Sequence, residues 1–268
     1  MFRSFADVVS TNLRYARQTF SMALIELKKT YASSTLGMVW ALIKPTLFVL
    51  VYWFGIQFGI RGGKSDDGEP FLLWLIAGIL PWFFISEALV QGGTSIRHHR
   101  HLVTTAVFPV STIPTITEIS LFLVHVMLVA VATVVFAAAG RLTFAYFQVF
   151  YGMLCLFLLM WMTSLLFSAL VVVSRDFEYF LKSATQVLFW LSPILWRVDK
   201  VQNIPWLYAI VRLNPITYVI EVYRDAFFGR VCFVHTAQLA CFWIEMAIGL
   251  LLSCFLYKRL EGEFADIL

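Results

Sequence analysis

Residues 144–173 read FAYFQVFYGMLCLFLLMWMTSLLFSALVVV, with no Asp, Glu, Lys or Arg among them. A helix rises about 1.5 Å per residue, so this run is longer than the roughly 30 Å of hydrocarbon in a bilayer. It predicts a spanning helix that tilts or extends beyond the membrane. Working outward, runs at 36–60, 71–91, 113–138, 180–196 and 238–257 follow the same rule, which makes six expected spans. The fifth in chain order, 180–196, is short and ends at Ser192-Pro193.

Composition agrees. Hydrophobic residues make up 60% of the chain and charged residues 13%, against about 45–50% and about 25% in soluble domains. There is too little polar material to coat a soluble core, so the expected fold is one all-α, polytopic membrane bundle over 35–268, preceded by an interfacial helix over 1–34. A net charge of +4 fits cations at the cytoplasmic membrane surface better than a nucleic-acid site. Cys155, Cys232, Cys241 and Cys254 form no C-x-x-C pair and read as small apolar residues. No short apolar run follows a basic start, so no signal peptide is expected. No internal repeat or second-domain linker is visible.

In the N-terminal segment, Leu13, Ala16, Phe20, Ala23, Leu24, Leu27 and Tyr31 recur at helical spacing, with Arg14, Arg17 and Lys28 mostly opposite. That pattern predicts a helix lying in the membrane interface. Lysines and arginines concentrate in this tail, in the turn carrying Arg97 and Arg100, in the turn carrying Arg175 and Lys182, and at Lys258 and Arg259. The distribution places both termini in the cytoplasm, although the expected outer segment 197–237 is also basic.

Other motifs carry less. Gly63-Lys64-Ser65 ends like a phosphate-binding loop, but Phe58 stands where that loop needs its first glycine. No nucleotide site is expected. Gly55 and Gly59 form a G-x-x-x-G, which in a span permits close helix approach. His98, His99 and His101 are interleaved with Arg97 and Arg100, which would repel a metal ion; a basic turn is the simpler reading. Glu87, Glu118, His125 and Glu245 fall in or near spans, where ionisable groups face the bundle interior, a polar path or the interface. No G-x-S-x-G or H-E-x-x-H is present, and no catalytic set stands out.

The stretch about 193–237 is unusual. It contains Pro193, Pro205 and Pro215, yet it is rich in aromatics: Trp196, Trp206, Tyr208, Tyr218, Tyr223, Phe227 and Phe228. Short helices that dip into the outer leaflet and return are expected, since backbone at that depth must be buried or line a cavity. Pro215 suits a first helical turn with Asn214 as its cap. The aromatic faces suit either sugar stacking or interface anchoring.

Taken together, the series resembles the ABC-2 class of polysaccharide-export membrane subunits. It comprises Glu26-Leu27-Lys28-Lys29, Leu36 to Trp40, Lys44-Pro45, Pro81 to Phe84, Phe108-Pro109, Arg175-Asp176, Ser192 to Ile194, and Leu213 to Pro215 with Arg224. Within the class, Tyr52 to Phe54, Gly59 to Arg61, Pro70-Phe71, Ala77 to Ile85 and Phe108 to Thr112 are most similar to wall teichoic acid translocation permeases; O-antigen and capsule permeases are the alternative. The resemblance implies a homodimer in a bacterial cell membrane, two copies of a separate ATPase that binds ATP and magnesium, and a polyprenyl-pyrophosphate-linked polymer as cargo. This chain itself would bind no cofactor. The resemblance also implies coupling to the ATPase through Arg97, His98, Arg100, His101 and Val107, with Glu26 and Lys28 of the N-terminal helix. Asn214, Pro215, Tyr218, Tyr223, Arg224 and Trp196 would belong to the path or outer gate, and Lys44 is an expected contact for an anionic headgroup.

Overall fold

The computed structural model describes residues 1–32, 34–60, 69–105, 108–234 and 236–268. Gly63-Lys64-Ser65, Arg61 and Val107 lie outside the described residues. Among the described residues there is no strand. Five stretches are long and apolar enough to cross a membrane: Gly37–Gly59, Phe71–His98, Val110–Ala138, Phe144–Val173 and Thr236–Glu263. They match the expected spans one to four and six.

The expected N-terminal helix is two helices. α1 (Phe2–Arg14) and α2 (Ala16–Ala32) part at Tyr15. α1 packs on protein: Val8 is fully buried with Tyr257 and Phe264 from the other end of the chain. α2 buries Ala23 and Leu27 toward the third span, α7 (Ile113–Ala138), and leaves Phe20, Leu24 and Ile25 exposed. Its apolar stripe is wide enough to serve protein on one flank and lipid on the other.

α3 (Trp40–Phe54) continues into a π-helical turn over Gly55–Ile60. Only 6% of this span is buried, so Leu47, Leu50, Val51 and Phe54 form an uncovered apolar face. A Cβ at Gly55 or Gly59 would meet nothing within 4 Å, so the G-x-x-x-G brings no helix close within the chain. α4 (Phe71–Glu87) passes through a π turn at Ala88–Gly92 into α5 (Gly93–His98), and α6 (Arg100–Thr105) follows. The predicted basic turn is thus largely helical. α7 (Ile113–Ala138) and α8 (Gln148–Val173) complete the wall around a core of α4, α7, α8 and α11.

α9 (Asp176–Leu191) has 16 residues, about 24 Å of helix. It does not qualify as a span on length and hydropathy, because charged and polar side chains interrupt its apolar face from Asp176 to Lys182. α10 (Pro205–Leu213) and α11 (Pro215–Phe227) are also too short to span. α12 (Thr236–Leu260) returns the chain to the end where α1 sits, and α13 (Phe264–Ile267) closes against it. Both termini therefore lie at one end of the bundle.

Candidate functional site: a terminal-end coupling surface and a far-end helix pair

At the terminal end, the corner between α5 and α6 is His99. Its Nδ1 donates to the Ser95 carbonyl at 3.0 Å, and its Nε2 lies 3.7 Å from Glu26 Oε2 on α2. Glu26 Oε1 accepts from Thr117 Oγ1 of α7 at 3.2 Å. One carboxylate thus joins α2, the α5–α6 corner and α7. Arg97 of α5 reaches Glu178 at the start of α9, with N···O at 4.0 Å. Glu178 also accepts from Lys182 at 2.8 Å, so two cations meet on one carboxylate. His98, Arg100, His101 and Lys28 are exposed around this junction. The surface is basic and suits an acidic partner face.

Behind it runs a buried polar seam. Asn12 of α1 accepts from Thr115 at 2.7 Å, and Thr115 accepts from Trp161 Nε1 at 2.8 Å. Glu118 accepts a hydrogen bond from Ser164, and its second oxygen is buried with no partner. Gly92 lies against both; a Cβ there would overlap the Glu118 carboxylate and the Ser164 side chain. His125 Nε2 meets Tyr223 OH at 2.7 Å. Glu118 and His125 do share a helix, but they bond to different partners.

At the far end, Asn214 caps α11 as its sequence suggests, accepting from Ile216 N at 3.0 Å, with Pro215 in the first turn. Arg212 of α10 donates to Glu221 of α11 at 2.9 Å and to Gln238 of α12 at 2.7 Å, folding the two short helices into a hairpin. Arg224 is the keystone. Its guanidinium donates to the carbonyls of Pro193 and Ile194 at 2.7 and 2.8 Å and lies 3.7 Å over the Trp74 ring. It thereby ties the end of α9 to α11 and α4. Gly78 allows this, since a Cβ there would come within 2.8 Å of the guanidinium carbon.

The expected residues thus separate into two groups, with Tyr218, Tyr223 and Lys44 apart from both. Glu26, Lys28, Arg97, His98, Arg100 and His101 come together at the terminal end. Asn214, Pro215 and Arg224 come together at the far end. Trp196 is half-buried nearby, with Nε1 donating to the Trp190 carbonyl at 3.1 Å. Tyr218 and Tyr223 are almost fully buried, with Tyr218 bonded to Tyr151 at 2.9 Å. They anchor α11 inside the bundle. Lys44 belongs to neither group and sits at the mouth of a groove described below. His99 and Arg212 join the elements at each end; the sequence marked His99 only as part of a basic turn, and Arg212 did not stand out. For His99 the available signal was the carboxylate of Glu26 on an otherwise basic helix. Among the described residues no group of three His, Cys, Asp or Glu could hold a metal.

The chain belongs to the ABC-2 type transporter family, whose model matches residues 17–228. It is 24% identical over 247 residues to the O-antigen export system permease protein RfbA of Klebsiella pneumoniae, covering 91% of this chain and 92% of that protein. It is 25% identical over 217 residues to the protein of the same name from Myxococcus xanthus, covering 80% and 82%. These relatives are named for O-antigen, not for the teichoic acid that the stretch from Tyr52 to Ile85 suggests. Family membership implies an ABC ATPase as partner.

Proposed function

We propose that this chain is the permease subunit of an ATP-driven exporter carrying a lipid-linked polysaccharide of the O-antigen class across a bacterial cytoplasmic membrane. The observation that carries the reading is the meeting of α2 with the α5–α6 corner on Glu26 and His99, under an exposed basic rim. O-antigen is preferred as the substrate class because relatives bearing that name match over 91% of the chain. Teichoic acid is the second reading, favoured by the stretch from Tyr52 to Ile85.

In this reading the terminal end is cytoplasmic and α9 makes the sixth crossing. Both termini lie at one end, so the chain must return to the far end between Val173 and Thr236. α9 starts at the level of Arg97, near the terminal end, and ends at the level of Trp74, near the far end. α10 and α11 are then a re-entrant outer gate. Two copies pair, and cargo passes between the uncovered face of α3 in one and α9 in the other, while its lipid stays at the bilayer.

Coupling follows from two contacts on one helix. ATP-driven closure of the ATPases displaces the α5–α6 corner. Arg97 passes that displacement to Glu178 at the start of α9. Arg224 holds the other end of α9 to the gate helix α11. A single stiff element thereby links the ATPase side to the outer gate. The test is co-expression with the neighbouring ATPase, purification, and ATPase assay with lipid-linked O-antigen or lipid-linked teichoic acid. Stimulation by the former supports the proposal. Stimulation by teichoic acid alone moves the substrate to the second reading, and absence of any copurifying ATPase removes the exporter reading.

A further inference from the structure

A groove of about 670 Å³ lies within one protomer between α2, α3, α4 and α7. It is separate from the far-end hairpin and from the uncovered face of α3. Its mouth is polar, and its inner part is mainly apolar, with Ser120 and His125 also lining it. Lys44, Glu87 and Glu26 stand at the mouth, and Phe48, Phe84 and Leu128 line the inner part. On α7 the lining runs from Ser120 to Leu128, eight residues or about 12 Å of helix. Charged side chains at one end and apolar ones inside match a lipid with its headgroup at the surface and the first part of a chain alongside the helices.

The charges at the mouth choose the headgroup. Lys44 is exposed, and neither it nor Glu87 forms an ion pair among the described residues. Glu87 accepts a hydrogen bond from Gln91, and Glu26 is engaged by Thr117 and His99. One ammonium and two carboxylates line the groove. A headgroup bearing only negative charge would gain Lys44 and be opposed by both glutamates. A headgroup with both a phosphate and an ammonium satisfies Lys44 and Glu87 together.

We propose that this groove is a binding site for a zwitterionic phospholipid of the leaflet at the terminal end, with phosphate at Lys44, ammonium at Glu87 and one chain along Phe48, Phe84 and Leu128. The site is distinct from the transport path and does not depend on the nature of the cargo. It reassigns Lys44 from an export contact to a lipid anchor that wedges α2 and α3 against α4 and α7.

The test is native mass spectrometry of the full-length chain, extracted with its ATPase, delipidated and titrated with dioleoyl phosphatidylethanolamine or dioleoyl phosphatidylglycerol. The expected result is one phosphatidylethanolamine per protomer, retained at least about fivefold better than phosphatidylglycerol, as two opposed charge contacts require. Glu87→Gln should erase that preference. Lys44→Gln should weaken both lipids, and Lys44→Arg should restore them. Val124→Trp, which fills the inner groove, should weaken both without changing the preference; if it fails to assemble, the Lys44 pair still decides. Equal retention by the unmodified protein, a preference that survives Glu87→Gln, or displacement of bound phosphatidylethanolamine by equimolar polyprenyl diphosphate would each overturn the assignment. So would binding of glycerophosphoethanolamine, which has no chains, as tightly as the lipid.

Discussion

The residue that most changes the picture of coupling is His99. Its Nδ1 is committed to the Ser95 carbonyl, which turns Nε2 toward Glu26. Removing the ring breaks the link between α2 and the α5–α6 corner without touching the exposed basic side chains that meet a partner. His99→Ala should therefore keep copurification of the ATPase and lower substrate-stimulated ATP turnover about fivefold or more, the range of ordinary allosteric couplings. Glu26→Gln should act in the same direction, and the double variant should be no worse than either single one, because both break one contact. Turnover in proteoliposomes reads this directly. The Arg97–Glu178 pair is different, with 24% and 32% of its side chains exposed. A thermal double-mutant cycle on it should give less than about 1 kcal/mol of stability, yet Arg97→Glu should uncouple export, because it places like charges at the start of α9.

At the scale of elements, the long spans were legible because hydrocarbon thickness imposes a length, and runs such as 144–173 meet it with no charge. The Asn214-Pro215 start of α11 was legible because a cap and a first-turn proline are local chemistry. Three things were not. The break at Tyr15 was hidden because the apolar stripe continues in phase across it. The packing of α1 on the last span is a contact between the two ends of the chain. α9 was read as a short span from its apolar half alone, and its two ends are held by side chains far away in sequence, Arg97 and Arg224. Arg224 also makes an element-scale prediction. Arg224→Met keeps the apolar stem but leaves the Pro193 and Ile194 carbonyls unpaired, at a cost of about 1–3 kcal/mol for each buried group. Hydrogen exchange in residues 195–200, just past the released corner, should rise, and export should fall while the ATPase stays bound. Gly78→Ala should reproduce part of this by pushing on the guanidinium.

For the whole molecule, the uneven covering of the spans is the telling feature. The second span is 67% buried and the fourth 56%, but the first only 6%. Lipid alone would cover such a face, yet α9 presents Tyr179, Phe180, Val187 and Trp190 just as openly. Two copies related by a two-fold axis would set α3 of one beside α9 of the other, and each contact would occur twice. Cysteine pairs give the measurement. The native cysteines are buried or half-buried, so replacing them with serine or alanine leaves a clean background. Val51→Cys combined with Val187→Cys should then yield a crosslinked dimer in membranes, since both positions are more than 60% exposed in one protomer. Neither single variant should yield the same crosslink. If this seam is also the path, ATP with a trapped ATPase should lower the crosslinking yield as the two faces part. A yield unchanged between nucleotide states would keep the dimer and move the path elsewhere. No crosslink from this pair or from Leu50→Cys with Trp190→Cys would mean that α3 and α9 face lipid.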